Sequence, residues 1–155
     1  MEDMQNSAKE QMGALEKSLA EVYANAPHLP EGVRKVLVDF APWVVLIVGI
    51  LGLIGAVPAI LGSIAIAFVT LGAGTWVLIS ALGWLAISIL YLMAFSPLKA
   101  HKKSGWNKIF YASIISLLVS VVGAFFGGIG GLVGGLIGAA IGFYFLFEVR
   151  GSYNA

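Results

Sequence analysis

The chain has 155 residues, of which 59% are hydrophobic and 11% charged, with a formal net charge of +1. With a mean hydropathy of +0.95, these values exclude an ordinary soluble domain and point to an integral membrane protein. There is no cysteine, so disulfides and thiolate chemistry are excluded.

Residues 6–24 read as an amphipathic helix. Met12, Leu15, Leu19 and Val22 recur at spacings of three, four and three, with Ala8 one step before. Glu10, Glu16, Lys17 and Glu21 fall elsewhere around the cylinder. Ala26-Pro27 and Leu29-Pro30 break the pattern. Such a helix lies on the membrane or on the protein's own inner face; the alternative is a partner-docking or coiled-coil helix, for which under three heptads is a weak signal. Residues 31–40 predict a second short helix, with Val33, Val36, Leu37 and Phe40 on one face, lying in the interface and feeding the first span. The first 39 residues are polar and amphipathic and show no cleavable signal peptide. The first membrane helix is therefore expected to act as its own insertion signal.

From Phe40 to Leu98 there are 59 residues without a charge, and from Ile109 to Phe147 another 39. A hydrocarbon core about 30 Å thick takes roughly 20 helical residues. Each run therefore predicts two crossings, four spans in all, at about 43–62, 76–95, 106–125 and 132–147. The expected turns are Gly72-Ala-Gly-Thr75 and the glycines of 127–131, within a run (123–135) that leaves the exact turn open. Pro58 is expected to kink or stop the first span. This leaves 63–71 as either a helix extension or a re-entrant piece. Ser96-Pro97 is expected to end the second span.

The four bases of the middle loop, Lys99, Lys102, Lys103 and Lys108, predict that this loop is cytoplasmic. Arg34, Lys35 and Arg150 predict the same for both termini. Trp43, Trp106 and Tyr111 fall near the expected inner ends, where aromatic rings prefer to sit. The lysines are candidates for contact with anionic lipid headgroups or with a partner.

Residues 123–142 contain nine glycines. Gly130, Gly134, Gly138 and Gly142 repeat every four residues. A second series, Gly123, Gly127, Gly131 and Gly135, runs beside it. The first span holds a shorter relative, Gly49, Gly52 and Gly55. Glycines four apart make a groove without side chains, into which another helix packs closely. That helix belongs to this chain, to an identical subunit, or to another membrane protein.

Catalytic chemistry is not indicated. Neither long run contains an ionisable acid or base, which ion-coupled transport usually needs. Ser113, Ser116 and Ser120 share a face of the third span, and such serines more often bond their own helix than line a wet path. His28 and His101 lack metal-ligand company. No Gly-Lys-Ser/Thr follows the glycines, and nucleic-acid binding has only four loop lysines behind it. Glu148 and Arg150 read as interfacial anchors.

Ala41-Pro-Trp43, Ser96-Pro-Leu-Lys99, Lys103-Ser-Gly-Trp106 and the ending Ile141-Gly-Phe-Tyr-Phe-Leu-Phe-Glu-Val-Arg150 carry a resemblance. The whole chain resembles small four-span membrane proteins of candidate-phyla bacteria, some of which are labelled chromate transporters. The resemblance implies the topology. The expectation is an all-α integral membrane protein of the bacterial inner membrane, not an enzyme and without cofactor. Residues 1–39 would form cytoplasmic amphipathic helices and residues 40–150 a four-helix transmembrane domain. Its expected job is assembly through glycine-mediated packing, its partners being membrane lipids and either itself or another membrane protein. The alternative is a glycine-zipper homo-oligomeric pore or small-solute transporter.

Overall fold

The structure, a computed structural model, describes residues 2–70, 75–127 and 129–153. They form α1 (Glu2–Ala24), α2 (Glu31–Thr70), α3 (Thr75–Lys99), α4 (Lys103–Gly127) and α5 (Ile129–Glu148), then one 3₁₀ turn over Arg150–Ser152. Two compact units result: Met1–Pro30, which holds α1, and Glu31–Ala155, which holds the rest. Four helices are long and apolar enough to cross a membrane, over Glu31–Ile66, Trp76–Lys99, Lys103–Phe125 and Leu132–Ser152. The four expected spans lie within them. Of the two expected glycine turns, residues 71–74 and 128 lie outside the described residues; Gly127 and residues 129–131, expected in the second turn, belong to α4 and α5.

Three local expectations are corrected. Residues 31–40 are not a separate short helix, because α2 runs unbroken from Glu31 to Thr70 through Pro42 and Pro58. The second compact unit starts at Glu31. A proline removes its own N–H and so leaves the carbonyl four residues earlier unpaired. For Pro42 that carbonyl belongs to Val38, and it accepts a bond from the Tyr153 hydroxyl at 3.4 Å. Beyond Pro58, residues 63–70 continue the helix and do not re-enter. At 40 residues and 1.5 Å each, α2 is about 60 Å long, about twice a hydrocarbon core.

Ser96-Pro97 does not end α3, which reaches Lys99. Its end is closed by two bonds, Lys102 N–H to Pro97 O at 2.9 Å and His101 N–H to Leu98 O at 2.9 Å. This 6→1 and 5→2 pattern needs a left-handed residue, and His101 supplies it with φ 54°. The lysine loop consequently shrinks to residues 100–102, since α4 starts at Lys103. Gly105 permits this short connection: a Cβ there would stand 2.6 Å from the Leu98 nitrogen.

Close backbone packing follows chain order, α2 on α3, α3 on α4 and α4 on α5. The α2 seam is Val38, Pro42, Val45, Gly49, Gly52, Ala56 and Ser63, all buried or half-buried. Its alternation of four and three is a 3.5-residue repeat, the pattern of a left-handed supercoil. The best-filled core gathers where the lysines are: Leu98, Trp106, Phe110, Ala112, Phe143 and Tyr153 are nearly inaccessible. We call this the lysine end and the opposite one the glycine end.

Candidate functional site: a lysine end and an open glycine face

At the lysine end, Trp106 is the central ring. It stacks on Phe110 at 5.4 Å and meets Phe147 edge-on at 5.5 Å. Its Nε1 donates to the Leu146 carbonyl at 2.7 Å. That carbonyl lies in the last turn of α5, where no helical N–H follows to pair it, so the indole acts as the cap. Arg150 lies over the same ring at 5.6 Å, and Lys99 lies over Trp43 at 5.5 Å.

Glu148, expected as an interfacial anchor, is a buried ion-pair partner. Its side chain is only 4% accessible and pairs with Arg34, whose Nη2 and Nε reach Oε1 at 2.7 and 3.2 Å. The pair, with the Tyr153–Val38 bond, ties the start of α2 to the end of the chain. Tyr153 is buried, and that burial, followed by the negative charge of Asp39, pushes its phenol up to about 12. Sequence reasoning missed both ties. Two signals existed: Glu148 is the only acid after Asp39, and Pro42 demanded a donor for Val38. Nearby, Asn107 Oδ1 is buried with no hydrogen-bond partner among the described residues.

The four candidate lysines are split between elements. Lys99 ends α3, Lys102 lies in the turn, and Lys103 and Lys108 belong to the first turns of α4. Lys99, Lys102 and Lys103 are exposed, while Lys108 Nζ donates to the Ser104 carbonyl at 3.4 Å. Together with Arg150 they leave this end basic.

The glycines separate into two kinds. Some are filled by the chain's own helices. A Cβ at Gly49 would stand 2.9 Å from Leu92 Cδ2, and one at Gly52 would fall on Ser88 Oγ. Gly83 faces Val119 at 2.6 Å, Gly123 faces Trp76 at 2.7 Å, and Gly135 faces Ser120 at 2.5 Å. These are the close approaches that hold α2 to α3, α3 to α4 and α4 to α5. Gly130, Gly134, Gly138 and Gly142 are the other kind, because a Cβ at any of them would meet nothing within 4 Å. Gly134, Gly138 and Gly142 border a cavity of about 330 Å³ whose far wall carries Tyr91, Ser113 and Ser116.

Several span hydroxyls are spent on their own helices: Ser63 to Ile60 O, Ser80 to Val77 O, Ser88 to Trp84 O, Ser113 to Ile109 O and Ser120 to Ser116 O. No cluster of three or more His, Asp or Glu side chains suited to a metal ion occurs among the described residues. No protein-family model, curated protein or solved structure matches the chain.

Proposed function

We propose that the chain is a non-enzymatic, multi-pass membrane protein whose work is assembly. The open face of α5 at Gly130, Gly134, Gly138 and Gly142 receives a transmembrane helix from a second copy or from another membrane protein. One observation carries the reading: Gly123 and Gly135 of the neighbouring register already meet intrachain neighbours, whereas this one has room for a closely approaching backbone. In lipid there is no hydrophobic gain from bringing helices together, so such smooth faces gain dispersion contacts that lipid tails do not supply. The basic lysine end then faces the cytoplasm of a bacterial inner membrane, with both termini on that side. It contacts anionic headgroups at about 1 kcal/mol per lysine near the surface, while α1 adds a cytoplasmic contact surface.

A homo-oligomeric pore is the second reading. It draws on the hydroxyls of Tyr91, Ser113 and Ser116 opposite the glycine face. Gly134→Leu and Gly138→Leu separate the two. In a pore they abolish both ring assembly and conductance across a planar bilayer. In an assembly protein the wild type conducts nothing and the same changes release the partner. Full partner retention in both variants would remove the glycine face from the function.

A further inference from the structure

A cavity of about 470 Å³ lies along α2 and α3, floored by Gly52, Gly55, Ala56 and Ala59 and walled by Val77 and Trp84. It shares Val48 and Trp84 with a second cavity of about 210 Å³. The second is lined by Ile87 and Val119 and by the hydroxyl residues Tyr91, Ser116 and Ser120. An apolar slot thus leads into a hydroxyl-bearing end, and together they reach the size range of small-molecule sites, roughly 300–1,000 Å³.

Three observations narrow the occupant. Neither cavity is lined by an acidic or basic side chain, so nothing there compensates a charged ligand. Ser120 donates to the Ser116 carbonyl at 2.9 Å, and the hydroxyl residues Tyr91 and Ser116 line the cavity beside it. Polar groups in hydrocarbon are costly unless bonded, so a ligand that bonds these hydroxyls is favoured. Depth is the third. Tyr91 lies eight residues before Lys99 and Ser116 thirteen after Lys103. At 1.5 Å per residue these are about 12 and 20 Å from the lysine end, on either side of the middle of a 30 Å core. A phospholipid headgroup does not sit at that depth.

We propose that this slot binds an uncharged, elongated lipid with a single hydrogen-bonding group, a long-chain alcohol or ketone. The polar group lies between Tyr91 and Ser116 and the hydrocarbon along Gly55 and Ala59. The site rests on the membrane reading above but not on helix association: its apolar slot lies on α2 and α3, although its hydroxyl end shares Tyr91 and Ser116 with the cavity beside the α5 glycines.

The probe is hexadecan-1-ol carrying a diazirine beside its hydroxyl end. It is offered to the full chain in phosphatidylcholine nanodiscs, photolysed, and mapped by peptide mass spectrometry. Adducts are expected on the segments around Tyr91 and Ser116. Unlabelled hexadecanol competes and hexadecane does not. Tyr91→Phe, which removes only the hydroxyl, lowers labelling at least fivefold. Gly55→Leu, whose added side chain has open space in the folded chain, fills the slot and lowers it at least tenfold. Gly62→Leu, equally open but outside the slot, leaves it unchanged. Equal labelling of wild type, Tyr91→Phe and Gly55→Leu overturns the site, and so does competition by hexadecane as strong as by the alcohol. A chain that does not co-elute with nanodiscs overturns the membrane reading along with the site. Insertion with uniform labelling overturns the site alone.

Discussion

The lysine end and the glycine end of the bundle are built on opposite principles. At the lysine end, rings fill the space between helices: Trp106, Phe110, Phe143 and Tyr153 are buried, an indole caps an orphan carbonyl, and an ion pair closes α2 onto α5. Toward the glycine end the buried positions are small, Ala56, Ser63 and Ala81, while Phe68, Val69 and Phe125 are more than 80% exposed. Only 11–22% of the residues in the best window of each span are buried. One end therefore spends its side chains on its own fold. The other keeps its bulk outside, and on α5 it presents bare backbone. In the assembly proposed above, that bare backbone is where another helix docks.

The largest expected effect sharpens this contrast. Trp106→Ala removes a buried ring, its stack and a carbonyl cap, and should cost about 3–5 kcal/mol. Phe125→Ala deletes a comparable ring that touches little and should fall within about 0.5 kcal/mol. Reversible unfolding in mixed micelles, followed by circular dichroism, measures both. Equal losses would erase the distinction between the two ends.

Next comes the tie between α2 and α5. Glu148→Ala leaves Arg34 without its carboxylate. Complete burial of such a pair would set the loss at about 3–5 kcal/mol. Arg34 is about one-third exposed, so water takes over part of the pairing and about 1–2 kcal/mol is expected. Arg34→Ala combined with Glu148→Ala should cost less than the sum of the singles, and strict additivity would show that the two do not interact.

Asn107→Leu tests the same end in the opposite direction. It replaces a half-buried amide, whose oxygen is buried without a partner among the described residues, with an apolar group of similar size and should stabilise the fold by about 1 kcal/mol. A destabilised variant would mean that the amide has a partner.

The smallest effect is a pH dependence. The folded state raises the Tyr153 phenol from 10 to about 12, so the fold holds this proton more tightly than the unfolded chain does. Its contribution is fully present below about pH 10 and is lost as pH rises to about 12. Tyr153→Phe should cost about 0.5–1 kcal/mol at neutral pH and should flatten that alkaline loss. A tyrosinate absorbance titration should show one fewer late-titrating phenol in the variant than in the wild type.

Much of this organisation was legible in the residues. The lengths of the uncharged runs called for two long apolar helices each, and four such helices are present, because burying backbone in hydrocarbon leaves few alternatives to helices of a set length. Prolines misled, since the penalty of each depends on whether another group takes up the carbonyl it frees. Nothing near Pro42 announces that Tyr153, more than a hundred residues later, does so. Pro97 likewise frees the carbonyl of Met93, yet α3 still reaches Lys99. The glycine series was legible as packing surface, but its two registers look alike in sequence. Only the positions of Ser120 and Trp76 separate Gly135 and Gly123 from Gly134 and Gly138. The Arg34–Glu148 pair was hidden because positive-inside topology already explained the arginine.

The most direct test compares Gly135→Leu with Gly138→Leu, neighbours on one helix, by native mass spectrometry from lipid nanodiscs alongside thermal unfolding. Wild type should appear as an assembly, with a second copy or with another protein. Gly138→Leu should be a folded monomer of unchanged stability, and Gly135→Leu should lose stability because its side chain collides with Ser120. A wild-type monomer without a partner, or a Gly138→Leu variant that keeps its assembly intact, would contradict the assignment of the open face to association.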